Sequence, residues 1–342
     1  MKAAMIEKPG ILAIHEIPPP VMGEYDALCE LLYGATCTGT DQHLLFGRFP
    51  WPVKYPTVLG HESVGRVIQV GAKVRNYKVG DLITRVGTRP APDGSYDVNW
   101  GGFAEFGIAR DHAAMEADGQ PTDQWYEFRV NQVIPPDIDP KAGTMFITWR
   151  ETLSYVTRMQ TIKAGSTVLV LGSGGNGLAF LNHAVNLGAK AAMIGSDTRE
   201  DTAKALGAAD YFSYKDGNIG EAINKSFPDG FDVVIDAVGK QGLLDAALAY
   251  TKPGGVVTMY GLDDYGACMV NPCSARGTFT YYVGGYDEAE THEQVVELVR
   301  AGKLNAAHWL NLDTPFTLDQ IGDAFRAILD RKMVKALVKI KA

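Results

Sequence analysis

The stretch STVLVLGSGGNGLAFLNHAVNLG, residues 166–188, restricts what this chain can fold into more than any other. A continuous apolar run ends at Leu171, glycines follow at 172, 174 and 177, and an amphipathic helical pattern begins at once. That order is a buried strand, a tight turn and a helix, the context in which G-x-G-x-x-G carries chemistry. The first glycine permits the turn, and the second lets backbone N–H groups approach a pyrophosphate. The third lets the helix pack on the strand, and the helix N-terminus adds partial positive charge. Gly172, Gly174, Gly175, Asn176 and Gly177 are therefore the predicted phosphate cradle of a dinucleotide.

The pattern continues downstream. AKAAMIG, FDVVIDAVG and GGVVTMYG read as the second, third and fourth strands, and DTAKALGA and QGLLDAALAYT read as helices between them. Such alternation predicts an α/β fold with a doubly wound parallel sheet buried on both faces. The end of the second strand, MIGSDTRE, is where cofactor choice is made. Asp197 lies 20 residues after Gly177, the place of an acid that hydrogen-bonds the ribose hydroxyls of NAD. In a competing reading Ser196 forms the tip and Arg199 receives the 2′-phosphate of NADP; in a third, Asp197 caps a short helix. Asp197 tips the expectation towards NAD.

The first 110 residues have another texture. Short apolar or alternating runs (Ala27–Tyr33, Ser63–Val70, Asp81–Val86) are cut by Pro and Gly, which predicts a small β-rich barrel or sandwich. Residues 111–127 turn polar and read as a long loop, and a helix is predicted to start near Lys141. Near the end, HEQVVELVRAGKL and LDQIGDAFRAILDRK are amphipathic helices and ALVKIK a terminal strand, expected to return to the first domain. A chain of 342 residues is too long for one ordinary core. The expected division is a catalytic domain over 1–150, a nucleotide-binding domain over 151–288 and a return over 289–342.

Composition removes several function classes. With 46% apolar and 21% charged residues and a net charge of -8, the chain reads as soluble and globular, with no basic face for nucleic acid or an anionic membrane. No run approaches the roughly 18 apolar residues of a spanning helix, and MKAAMIEKPG lacks a signal-peptide core; the expected location is the cytoplasm. Cys29, Cys37, Cys268 and Cys273 are too scattered for a disulfide framework and read as free thiols or one metal ligand.

One of those cysteines belongs to a second signal. In GATCTGTDQHLLFG, residues 34–47, Cys37 is followed by Thr40, Asp41 and His43. A lone cysteine in apolar surroundings is ordinarily core filling. Downstream, however, His61 and Glu62 add an imidazole and a carboxylate, so all three are ligand types that zinc accepts in sites keeping a position open.

GHESVGRVIQVGAKVRNYKVGD, residues 60–81, resembles the zinc-site signature of the medium-chain dehydrogenase/reductase superfamily: G-H-E-x2-G-x-V, then V-G-x2-V and G-D. The resemblance covers nearly the whole chain and is to the zinc-dependent alcohol, polyol and sugar dehydrogenases rather than to the zinc-free quinone reductases. It implies a GroES-like β-rich catalytic domain followed by a Rossmann domain. It further implies that Cys37 and His61 bind a catalytic zinc, with Glu62 a direct ligand or a neighbour that exchanges with water. Glu151, in TWRETLSYV, takes the place of the remaining protein ligand; its other reading is a carboxylate favoured by a helix start.

Two departures stand out. One residue more than the usual family spacing separates Cys37 from Thr40, and residues 87–125 contain no cysteine. Many relatives bind a structural zinc there through four cysteines, so one zinc per chain is the expectation.

The function expected from all this is reversible oxidation of a secondary hydroxyl on a polyol, sugar or cyclitol, with hydride transfer to NAD or NADP. Thr40 and His43 would carry the released proton by way of the ribose, and Asp41 would hold the loop through backbone hydrogen bonds. Two other readings stay open: a zinc-free, NADPH-dependent reductase of activated carbonyls or alkenes, and a nucleotide-sensing structural protein. Phe46, Phe49, Trp51, Trp100 and Trp149 are candidate cleft aromatics. TFTYYVGG, residues 278–285, is the candidate pairing strand of a homodimer or homotetramer.

Overall fold

The structure is a computed structural model and describes residues 1–267 and 269–341. The chain forms two compact units, Met1–Ile147 with Glu288–Ala342, and Thr148–Asp287.

In the second unit strands and helices alternate: β1 (Thr167–Leu171), α1 (Gly175–Asn186), β2 (Lys190–Gly195), α2 (Glu200–Ala205), β3 (Asp210–Ser213), α3 (Ile219–Ser226), β4 (Phe231–Asp236), α4 (Leu243–Leu248), β5 (Thr251–Met259) and β6 (Phe279–Tyr282). All six strands are parallel, in the order β3-β2-β1-β4-β5-β6. This is the doubly wound order, whose direction reverses between β1 and β4, so the ends of those strands open the crevice where such sheets bind ligands. Leu169, Val234 and Val257 of the sheet pack with Ile223 of α3 and with Leu244 and Leu248 of α4, all six fully buried. Each such side chain contributes roughly 1.5–3 kcal/mol by leaving water.

FDVVID is thus the fourth strand and GGVVTM part of the fifth, one place later than the sequence pattern suggested. The missed pair is β3 and α3. β3 is four residues long and opens on Asp210, so no apolar run announces it. Its pairing with β2, from Ala192↔Asp210 to Gly195↔Ser213, makes it a strand.

The first unit holds two sheets. Lys2–Lys8, Ile11–Glu16, Thr57–Val58 and Asp97–Val98 form the smaller; the larger has Asp26–Ala35 at its centre, with Glu62–Val70 on one side and Leu337–Lys339 on the other. Ala3, Met5, Cys29, Leu31, Val67 and Ile83 fill one core. A second core joins Ile6, Leu44 and Phe103 to Ile321, Phe325 and Ile328 of the helix Ile321–Leu329.

Residues 111–127 are not a loop throughout: His112–Ala117 is a helix. Asp111 starts it by accepting the N–H of Ala114 at 3.0 Å, and also takes the N–H groups of Arg75 and Asn76. An N-cap satisfied by tertiary partners stabilises a short helix that its polar sequence does not advertise. Among the described residues no helix is long and apolar enough to cross a membrane.

Candidate functional site

The larger sheet of the first unit assembles the metal-type donors by register. Ala35, the last residue of the central strand, pairs with Glu62 on one side and Leu337 on the other. Cys37 follows two residues later, and His61 precedes Glu62. Gly60 must be glycine because its φ is +106° and a Cβ would lie 2.7 Å from the backbone nitrogen of Phe103.

Cys37, His61 and Glu62 are all buried, and one donor atom of each lies within 4.8 Å of the others. Asp41 is also buried, on the helix Thr40–Leu45. Its Oδ2 accepts the N–H of Cys37 at 2.8 Å, and its Oδ1 stands 3.8 Å from Nδ1 of His61. Neither Asp41 Oδ1 nor His61 Nδ1 has a hydrogen-bond partner among the described residues. Burial opposes a charge on His61, but Asp41, Cys37 and Glu62 outweigh it and raise the imidazole to about 10. Surroundings that favour positive charge so strongly also suit a dication, and thiolate, imidazole and carboxylate are donors zinc accepts. The residues present fit the ion.

Sequence reasoning passed over Lys335. Fully buried, its ammonium lies 2.5 and 2.6 Å from the two oxygens of Glu62. Burial opposes its charge as well, but the charges of Glu62 and Cys37 outweigh that and raise its pKa. The available signal was one lysine inside the apolar run Met333–Val338.

Thr40 opens the helix Thr40–Leu45, and His43 sits a turn later with Nδ1 2.9 Å from the carbonyl of Gly39. Of the aromatics, Trp100 lies 5.0 Å from the His61 ring, Phe49 6.2 Å from Trp100, and Trp51 5.1 Å from Phe49. Phe46 is exposed at the surface, whereas Trp149 is fully buried in the second unit and so forms core rather than a wall.

Glu151 belongs to the second unit, on the helix Phe146–Met159. It is buried, and the hydroxyls of Tyr260 and Tyr286 donate to its two oxygens at 3.2 and 3.3 Å.

The glycine turn has the shape a pyrophosphate needs. Gly172 has φ +99°, and a Cβ there would lie 2.4 Å from Val238; a Cβ on Gly177 would lie 1.9 Å from the carbonyl oxygen of Gly172. At Gly174 nothing stands within 4 Å of a would-be Cβ, so that backbone is open to a ligand. Gly175 and Asn176 begin α1. A dinucleotide fits this cradle at a helix N-terminus. At the tip of β2, Ser196 donates its N–H to Ser173 at 3.0 Å, and burial lowers the pKa of Arg199. Asp197 pairs with Lys215 at 3.0 Å, which holds its carboxyl below the usual range. Asp236, at the end of β4, accepts the N–H groups of Val238 and Gly239 and so shapes the turn facing Gly172.

A GroES-like unit with clustered metal donors and a Rossmann unit with a phosphate cradle are the parts of an alcohol dehydrogenase-type oxidoreductase. Residues 24–119 match the alcohol dehydrogenase GroES-like domain, and residues 175–299 match the zinc-binding dehydrogenase family. The chain is 30% identical to the NADP-dependent isopropanol dehydrogenase of Thermoanaerobacter brockii over 70% of its own length and 69% of that protein. It is 24% identical to D-arabinitol dehydrogenase 1 of Uromyces fabae over 99% and 97% of the two chains. The alcohol dehydrogenase TADH from Thermus sp. ATN1 shares its fold, with a TM-score of 0.79 at 23% identity over 100% of both chains. The chain belongs to the zinc-dependent medium-chain dehydrogenase/reductase superfamily, whose cofactors are zinc and a nicotinamide dinucleotide.

Proposed function

We propose that the protein reversibly oxidises a secondary hydroxyl of a polyol, sugar or cyclitol to the ketone, with one zinc ion and NAD(P), NAD being preferred. The observation that carries this reading is the buried cluster of Cys37, His61 and Glu62. Likeness to D-arabinitol dehydrogenase 1 along almost the whole chain supports the polyol class.

When bound, zinc supplies Lewis acidity to a hydroxyl and the nicotinamide supplies a hydride acceptor. The chain does the rest. Cys37 and His61 would hold the ion, with Glu62 next to them, while Asp41 anchors the Cys37 backbone and faces His61. Glu151 keeps the role of further ligand in this proposal, tested by the metal content of a Glu151→Gln variant.

The alcohol gives up a hydride and a proton. Thr40 can accept and donate at one oxygen, and His43 passes the proton on. With Nδ1 facing the Gly39 carbonyl, exchange at His43 falls to Nε2. The glycine cradle binds the pyrophosphate, and Asp197 reads the ribose, with Ser196 and Arg199 beside it. β6, the edge of the parallel sheet, would pair with its copy in a homodimer or homotetramer.

The deciding experiment measures zinc content and turnover on polyols, cyclitols and sugars, with NAD and NADP in parallel, for the purified protein and a Cys37→Ala variant. The variant should lose both zinc and turnover. Full turnover by protein stripped of zinc would refute the reading.

A further inference from the structure

The buried charges around the metal donors include one that the proposed chemistry leaves without a task. Lys335 has a side chain only 1% exposed, and its Nζ meets both oxygens of Glu62 and the carbonyl of Thr36, the last at 3.3 Å. The backbone that carries it is held on both sides. Ala336, next in the chain, donates its N–H to Thr36 Oγ1 at 2.9 Å, and Thr38 Oγ1 donates to the carbonyl of Val334 at 3.0 Å. The backbone on either side of Lys335 is thereby tied to the segment that presents Cys37.

Glu62 Oε1 is claimed twice. It lies 2.5 Å from the ammonium and 3.9 Å from Nε2 of His61, so the oxygen facing the imidazole is one of the two that Lys335 grips. Among the described residues, an ammonium this deeply buried, parted from its carboxylate, would keep only the Thr36 carbonyl as acceptor, and breaking such a pair is strongly unfavourable.

We propose that Lys335 is a positioning residue that competes with the metal for Glu62. By holding both carboxylate oxygens it keeps Glu62 out of the coordination sphere in the resting enzyme. The ligands from this unit are then Cys37 and His61, and a position stays open for water or alcohol. This rests on the zinc reading above and decides between its two roles for Glu62.

The test replaces zinc with Co²⁺ and records the visible absorption of wild type, Lys335→Met and the double variant Glu62→Gln/Lys335→Met, with zinc affinity measured against a competing chelator. In K335M the released carboxylate should join the metal. The cobalt band should weaken as coordination number rises, and zinc should bind about ten-fold more tightly, the scale of outer-shell effects. The double variant, which has no carboxylate to release and no unpaired ammonium, should give the wild-type band. A wild-type band in K335M overturns the proposal. So does an altered band in the double variant, which would make Glu62 a resting ligand; that comparison decides alone if K335M does not fold. Failure of wild type to take up either metal would instead overturn the zinc reading, and Lys335's role with it.

Discussion

Asp41 holds the N–H of Cys37 at 2.8 Å with one carboxylate oxygen and faces Nδ1 of His61 at 3.8 Å with the other. One carboxylate thus anchors the backbone that carries Cys37 and faces an imidazole far away in sequence. The extra residue between Cys37 and Thr40 is absorbed here, because the N–H of Asp41 donates back to the Cys37 carbonyl at 3.1 Å and closes a helical turn. Asp41→Asn should keep the fold but lower zinc affinity by about 10–100-fold, as loss of an outer-shell carboxylate does. Chelator competition measures it; wild-type affinity would show that the carboxylate only shapes the loop.

Sequence pattern reached some of these residues and not others, for physical reasons. Gly172, Gly174 and Gly177 were legible because strand, turn and helix are local, and the fold class followed from strands alternating with helices. Cys37, His61 and Glu62 stood out by residue type. Asp41 was read as a loop holder, and its contact with Cys37 is a backbone hydrogen bond. Lys335 was invisible because its partner lies 273 residues away, and a lysine beside a terminal strand ordinarily reads as solvated. β3 escaped because four residues carry too little periodicity, and the helix His112–Ala117 because its cap is satisfied by partners near residue 75.

Cofactor choice should turn on Asp197 and Lys215, opposite charges 3.0 Å apart at the tip of β2. The carboxylate repels a 2′-phosphate, and the ammonium partly cancels that repulsion. Asp197→Ala should therefore move the NADP/NAD ratio of kcat/KM towards NADP by about ten-fold, the scale of one charge acting on a nearby dianion in water. Lys215→Ala should move it the other way. Dissociation constants for NADPH and NADH should follow the same order, and unchanged ratios in both variants would remove Asp197 from cofactor selection.

His183, fully buried in α1, has Nε2 3.1 Å from the carbonyl of Trp149, and burial pushes its pKa down to about 4. Its folded value lies below the unfolded value of about 6.5, so the fold favours the neutral ring. That contribution is complete above pH 6.5 and disappears as pH falls towards 4, a loss of up to about 3 kcal/mol. His183→Gln should flatten this part of the profile. Urea midpoints of the full chain at pH 7 and pH 4.5 supply the comparison; equal acid sensitivity in both proteins would place the loss elsewhere.

Trp100 combines strain with position. Its φ is +68°, and Arg85, whose guanidinium lies 5.8 Å from the indole, has φ +56°. A left-handed conformation costs a non-glycine residue roughly 1–2 kcal/mol, and such strain persists only where the surroundings enforce it. The enforcing contacts are the His61 ring at 5.0 Å, Phe49 at 6.2 Å and the ion pair of Arg85 with Glu288. The indole therefore stands as a wall beside His61, which the proposal makes a metal ligand. Trp100→Gly relieves the backbone but gives up half-buried aromatic surface, so stability should fall by only about 1 kcal/mol. Zinc content should not change, whereas KM for small secondary alcohols should rise and bulkier ones should become substrates. If zinc were lost instead, the indole would be a prop for His61 and not a boundary of the substrate space, because only a prop is needed to keep the imidazole in place.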